Sequence, residues 1–202
     1  MVNGLKAIPT HIALKKGALF RKLGFVAIRG LIKSSLSSAL KQDAIASASH
    51  LERHAPETTA YRSAKQSRST NVLLQFQATL LPLLRTLTGY QLVPSDSWYI
   101  YYEGTDEIRL HVDPEESDIS VLTSVLGEVG PLHLHPELEG QNENQLNSYY
   151  KGAGWNPIGG VPLSYPCDGI LINRGHRIPH HRVGKPISQR CAVAALHYTL
   201  QR

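Results

Sequence analysis

The chain has 202 residues, 42% of them hydrophobic and 18% charged, with a formal net charge of +5. That length suits one domain with one full hydrophobic core, and the composition excludes a disordered chain. No apolar run approaches the roughly 20 residues of a membrane span, and the two cysteines, Cys167 and Cys191, are too few for a disulfide scaffold. A cytoplasmic setting is expected.

Eight basic residues and no acid precede Asp43, Arg109 is the only Lys or Arg from Asp96 to Glu143, and no acid follows Asp168. A basic, acid-free start is compatible with a mitochondrial transit peptide. Against that, Phe25-Val-Ala-Ile-Arg-Gly30 has the character of a buried strand ending in a turn. The basic residues are not interleaved with aromatics and no reading motif accompanies them, so no nucleic-acid partner is expected.

In chain order, the apolar stripe Leu36, Leu40, Ala44, Ala48 and Leu51 predicts a helix over 34–54. The polar, basic stretch 56–70 predicts an exposed loop. A second helix is predicted over 71–87, with Ser69, Thr70 or Asn71 as N-cap and a kink or early break at Pro82. From Trp98 onward, short strand-like runs alternate with turn residues: 98–103, 108–113, 120–126, 131–135, 169–173, 178–183 and 191–200. Their spacing predicts an antiparallel sandwich or barrel. The polar segment 141–160 predicts a long loop that could act as a lid, with Trp155 expected to pack within the loop or, alternatively, to cover a substrate. The organisation is therefore one mostly β domain over 1–202. Residues 1–95 supply a strand and flanking helices, and 96–202 supply the β core.

Seven of the ten histidines follow Leu110. In Leu110-His111-Val112-Asp113-Pro114, His111 and Asp113 share one strand face. An imidazole and a carboxylate so placed form two-thirds of a 2-His-1-carboxylate facial triad, which leaves positions open on non-haem iron. The segment Ile178-Pro-His-His-Arg-Val183 offers the third ligand as His180 or His181. Adjacent residues point oppositely, so only one can serve. Arg190 follows His181 by nine positions and could hold a carboxylate in bidentate fashion. His176 and His197 are expected to be structural or exposed, and Cys191 a small buried strand residue.

With these motifs in order, the sequence resembles the Fe(II)- and 2-oxoglutarate-dependent dioxygenases over most of its length. The HxD motif at 111–113 follows an aromatic hairpin, Tyr101-Tyr-Glu-Gly104. Asp168-Gly-Ile-Leu-Ile-Asn173 looks like the strand before the distal histidine. The resemblance implies a double-stranded β-helix, a jelly-roll or cupin-like barrel. It implies iron held by His111, Asp113 and His181, with His180 as the alternative, and 2-oxoglutarate held by the metal, Arg190 and Tyr101. Tyr99 is a weaker candidate on the same face as Tyr101, while Tyr102 points the other way. The implied reaction uses O₂, with ascorbate as reductant, to hydroxylate an unactivated C–H of an amino-acid-like small molecule or a peptide side chain as 2-oxoglutarate becomes succinate. Asp113 stands where halogenating relatives lack a carboxylate. A second resemblance is to the first cupin motif, through Gly127, His133, His135 and Glu139. It offers a cupin-type metal-dependent dioxygenase or metal-binding protein as the alternative.

Overall fold

The computed structural model of the protein describes residues 4–49, 52–53, 61–62, 65–104, 106–153, 159–182 and 187–201. Among these residues, twelve strands form two antiparallel sheets, with four helices. The larger sheet has seven strands: β1 (Phe25–Ile28), β10 (Ile170–Asn173), β7 (Ile119–Leu126), β12 (Ile187–Leu200), β5 (Leu92–Gly104), β4 (Lys65–Arg68) and β2 (Glu52–Arg53), in that spatial order. The smaller has five: β3 (Tyr61–Arg62), β6 (Glu107–His111), β11 (His180–Arg182), β8 (Pro131–Leu134) and β9 (Val161–Ser164).

Alternation along the strands builds two cores. On β5, Ile100 and Tyr102 enter the core between the sheets, whereas Tyr99 and Tyr101 enter the core beneath the helices. On β12, Cys191, Val193 and Ala195 face the smaller sheet, and Ala192, Ala194 and Leu196 face the helices. Burial on both faces explains why this run reads as continuously apolar.

The helix layer consists of α1 (Thr10–Leu23), α2 (Ser34–Ser47) and α3 (Asn71–Thr88). In α3, Leu73, Leu80, Leu84 and Leu87 are fully buried, each contributing roughly 1.5–3 kcal/mol. Thr70 caps its start by accepting from the Leu73 amide at 3.1 Å, and Gly89 ends it in the left-handed region at φ 78°. Polar ties fix the layers: Asp43 of α2 accepts from the Tyr99 hydroxyl at 2.8 Å and from Thr70. Gln77 of α3 donates to the His197 carbonyl at 2.6 Å and accepts, through its own carbonyl, from the Tyr198 hydroxyl at 2.8 Å. These bonds hold the end of β12 against the helices.

Several expectations change. Helix α1 was not anticipated, and α2 ends at Ser47 rather than 54. Pro82 does not interrupt α3, because it and Ala78, whose carbonyl loses a partner, lie on the exposed face where water can serve. The stretch 56–70, expected as a loop, contributes β3 and β4. β4 reads Lys-Gln-Ser-Arg, without an apolar alternation, yet Gln66 and Ser67 are buried. β5 begins at Leu92, earlier than 98, and β9 was missed. Within 141–160 lies α4 (Glu143–Ala153). Its Leu146 packs with Leu110 and Leu138 on the outer face of the smaller sheet. Trp155 lies outside the described residues.

Candidate metal centre

β6 and β11 are neighbours, and their register sets His180 directly opposite His111. The two rings lie 4.4 Å apart between centroids, tilted by 55°. Beyond β6 the chain turns, and the Asp113 amide donates to the Gly175 carbonyl at 2.9 Å. That bond brings the Asp113 carboxylate back between the histidines. Its Oδ1 lies 3.6 Å from His111 Nε2 and 3.4 Å from His180 Nε2. The three ligand atoms all fall within 4.8 Å of one another, and all three residues are buried. Among the described residues no other cluster of this kind occurs.

Backbone contacts prepare both imidazoles. His111 Nδ1 lies 2.7 Å from the Arg109 carbonyl and His180 Nδ1 lies 3.0 Å from the Ile178 carbonyl. A carbonyl only accepts, so each Nδ1 carries the proton and each Nε2 is the ligand nitrogen. The carboxylate is prepared in the same way. Its Oδ2 accepts from Ser120 Oγ at 2.5 Å, and Ser120 Oγ lies 3.1 Å from His197 Nδ1. One oxygen is thus tied back and the other faces the histidines, a monodentate arrangement. Gly175 has a steric reason to be glycine, since a Cβ there would collide with Ser120 Oγ and Asp113 Oδ2.

Electrostatics follow from this packing. Burial pushes the Asp113 pKa up, but the His180 charge and hydrogen bonds from His111 and His180 outweigh it and hold the carboxyl well below its usual range. Burial alone would lower His180; the Asp113 charge and hydrogen bond raise it instead. The lowered Asp113 and the raised His180 pKa make a buried ion pair within the cluster.

His181 takes the opposite face of β11. Its Nδ1 lies 2.9 Å from His135 Nε2, and its ring stacks on His133 at 4.8 Å. Burial, then the neighbouring imidazoles, push its pKa down to about 3. The structure therefore brings His180, not His181, to His111 and Asp113; strand parity decides between the two. Arg190, expected at the keto acid, is half-exposed and pairs with Glu103. Regular alternation with Val193 and Ala195 puts Cys191, not Arg190, on the inner face of β12. Tyr101 is also displaced from its expected role. Its hydroxyl donates to the Ala44 carbonyl at 2.6 Å beneath the helices, and Tyr102 faces inward instead. The cupin-like set does not gather either. His133 and His135 belong to the outer cluster with His181, and Glu139 bonds Arg174 at 3.1 Å and Arg177 at 3.3 Å.

The triad and His197 line a narrow cavity between the sheets, with a volume of about 20 Å³ and walls that include Ile100, Leu122, Leu132, Val193, Tyr102 and Tyr165. Its walls are mostly apolar and surround a few convergent polar groups. Sequence reasoning missed Ser120, Gly175, His197 and Tyr102. His197 shares its parity with Val193 and Ala195, a signal that was available; the carboxylate's support by Ser120 and Gly175 crosses loops and was not.

No family model matches the chain, and no curated protein matches it. Solved structures do. The epimerase SnoN from nogalamycin biosynthesis, a non-haem α-ketoglutarate-dependent enzyme, superposes with TM-score 0.74 at 11% identity, over 95% of this chain and 84% of that one. HygX from Streptomyces hygroscopicus, solved with nickel and 2-oxoglutarate, gives 0.71 at 10% identity over 93% and 87%. A prolyl hydroxylase from Trichoplax adhaerens, solved with a peptide of hypoxia inducible factor, gives 0.69 at 16% identity over 94% and 90%. The fold is that of the Fe(II)- and 2-oxoglutarate-dependent oxygenases, a double-stranded β-helix. At such identities the likeness establishes the architecture, and the chemistry has to be argued from the site.

Proposed function

We propose that this protein is an Fe(II)- and 2-oxoglutarate-dependent oxygenase that hydroxylates an unactivated C–H bond of a small molecule or peptide side chain. The observation that carries this reading is the convergence of His111 Nε2, His180 Nε2 and Asp113 Oδ1 beside a cavity in that fold. Two neutral imidazole nitrogens and one carboxylate oxygen match the donor set of ferrous sites with open positions. The preset tautomers and the tied-back Oδ2 suit ligation by three single atoms. Iron bound there would supply oxidation by O₂, with 2-oxoglutarate giving up two electrons as it becomes succinate and CO₂.

The chain's own residues have separate tasks. His111 and His180 supply neutral nitrogens, and Asp113 supplies one negative charge held in place by Ser120. Ile100, Leu122, Leu132 and Val193 exclude water from the cavity, which protects reactive chemistry from side reactions. The similar structures include a prolyl hydroxylase and an epimerase, so hydroxylation is the outcome we favour within a wider range of C–H oxidations. A peptide and hygromycin B are ligands of two of those proteins, which supports small-molecule and peptide substrates alike.

The test is anaerobic titration of Fe(II) and then 2-oxoglutarate, followed by the visible charge-transfer band of the chelate. We expect one iron per chain and a band that saturates with 2-oxoglutarate. Asp113→Ala should abolish both. A wild-type protein that takes up no iron would sink the reading.

A further inference from the structure

His197 lines the triad cavity but is not one of the three converging ligands. It belongs to a polar row that crosses the larger sheet. The strand registers set Asn173 of β10 beside Ser120 of β7, and Ser120 beside His197 of β12. Partners directly opposite across a ladder share a face. Leu171, Leu122 and Ala195, two residues away along each strand, place that face in the inter-sheet core.

The direction of each hydrogen bond in the row is fixed by counting protons. Ser120 gives its only proton to Asp113 Oδ2. The 3.1 Å contact with His197 Nδ1 therefore has the imidazole N–H donating and the Ser120 oxygen accepting. Asn173, on the other flank of Ser120, has both amide atoms buried without a hydrogen bond. Among the described residues, His197 is thus the one side chain that donates to Ser120.

The backbone of His197 is itself held from the helix layer. The pairing of β12 with β5 slips between Leu196 and Tyr198. At that slip the Gln77 side chain of α3 donates to the carbonyls of His197 and Asp96, at 2.6 and 2.9 Å. Gln77 is buried among the leucines of its helix, where an amide without a partner would be costly. Polar contacts therefore run without a break from α3 through β12 and β7 to the carboxylate of the triad.

We infer that His197 is a positioning residue for the metal centre, acting on Asp113 through Ser120. Its Nδ1–H turns the Ser120 hydroxyl toward Asp113 Oδ2, which keeps that oxygen tied back and leaves Oδ1 to ligate. The tautomer is essential: with the proton on Nε2, Nδ1 would compete with Asp113 for the Ser120 proton. The inference rests on the proposed function for the metal it needs at the triad.

The test measures Zn(II) affinity by competition with a chromophoric chelator, and histidine tautomers by long-range proton–nitrogen NMR of the Zn(II)-loaded protein. Wild-type His197 should be the Nδ1–H tautomer. Ser120→Ala should weaken zinc by about 10–100-fold, as the loss of a ligand's outer partner does. His197→Leu should weaken it by about tenfold, and should add nothing in the Ser120→Ala background, because its effect passes through that hydroxyl. An asparagine amide stands where Nδ1 stands, whereas a glutamine amide reaches the place of Nε2. His197→Asn should therefore retain most of the affinity, and His197→Gln should not. An Nε2–H tautomer in wild type overturns the inference. So does wild-type affinity in His197→Leu, an equal loss with and without Ser120, or a His197→Asn protein no better than His197→Leu. A wild type that takes up no zinc overturns the inference together with the proposed function. The expected zinc results without a 2-oxoglutarate band on iron would remove that function and leave the role of His197 standing.

Discussion

His180 and His181 are consecutive in sequence, both buried, and part of the same three-residue strand, yet they have opposite surroundings. His180 faces the inter-sheet cavity and a carboxylate, which raises its pKa. His181 faces outward into two other imidazoles, and its pKa falls to about 3. One side chain is prepared for a cation and the other for neutrality. Residue type is identical, so strand parity and the neighbour's charge make the difference.

The comparison breaks most visibly in metal binding. His180→Ala should weaken iron by more than 100-fold, because even outer partners of ligands cost 10–100-fold; His181→Ala should leave iron stoichiometry intact. Metal analysis after anaerobic loading distinguishes them. Equal loss in both would erase the distinction between the two faces. Gly175→Ala should resemble His180→Ala although residue 175 ligates nothing, because its Cβ would displace Ser120 and the Asp113 carboxylate. Normal iron uptake by that variant would show that the carboxylate's support is dispensable.

The next effect is on stability. His181→Ala strips His135 of a 2.9 Å hydrogen bond in a buried setting, which should cost about 1–3 kcal/mol. Urea unfolding of the metal-free protein measures it. The same residue should shape the acid limb. Unfolded, His181 takes up a proton below about 6.5; folded, it resists until about 3. Between those values the unfolded state holds more protons, so stability falls as pH falls, by up to about 1.4 kcal/mol per pH unit. His181→Asn should flatten that slope relative to wild type. An unchanged slope would mean that the outer cluster accommodates charge.

Much of this was legible beforehand. The HxD pair, the distal histidine segment and the barrel followed from strand alternation and motif order. Choosing between His180 and His181 did not, because parity there must be counted from a defined strand neighbour, and only the pairing with His111 supplies it. Tyr101 was chosen over Tyr102 for the same lack of a reference: both faces of β5 are buried, so apolar character marks neither as the inner one. β4 was illegible because an edge strand of Lys, Gln, Ser and Arg carries no hydrophobic period. The support of Asp113 by Ser120 joins residues seven apart across a turn, a contact that no periodicity encodes.

The smallest effect concerns two arginines, Arg182 and Arg190, which repeat the contrast of inside and outside. Arg190 and Glu103 form an ion pair with both side chains about 40% exposed. The hydrogen bond from Arg190 lowers the Glu103 pKa, so the pair's contribution is present above the ordinary carboxylate value and fades as pH drops through the lowered one. Solvent screening limits an exposed pair to about 0–1 kcal/mol. Arg190→Ala should therefore change the unfolding free energy by less than about 1 kcal/mol, and that difference should shrink in high salt. A larger loss that persists in high salt would mean that Arg190 is buried in solution and makes contacts other than its exposed bond to Glu103. In that case, an exposed arginine would no longer contrast with the fully buried Arg182.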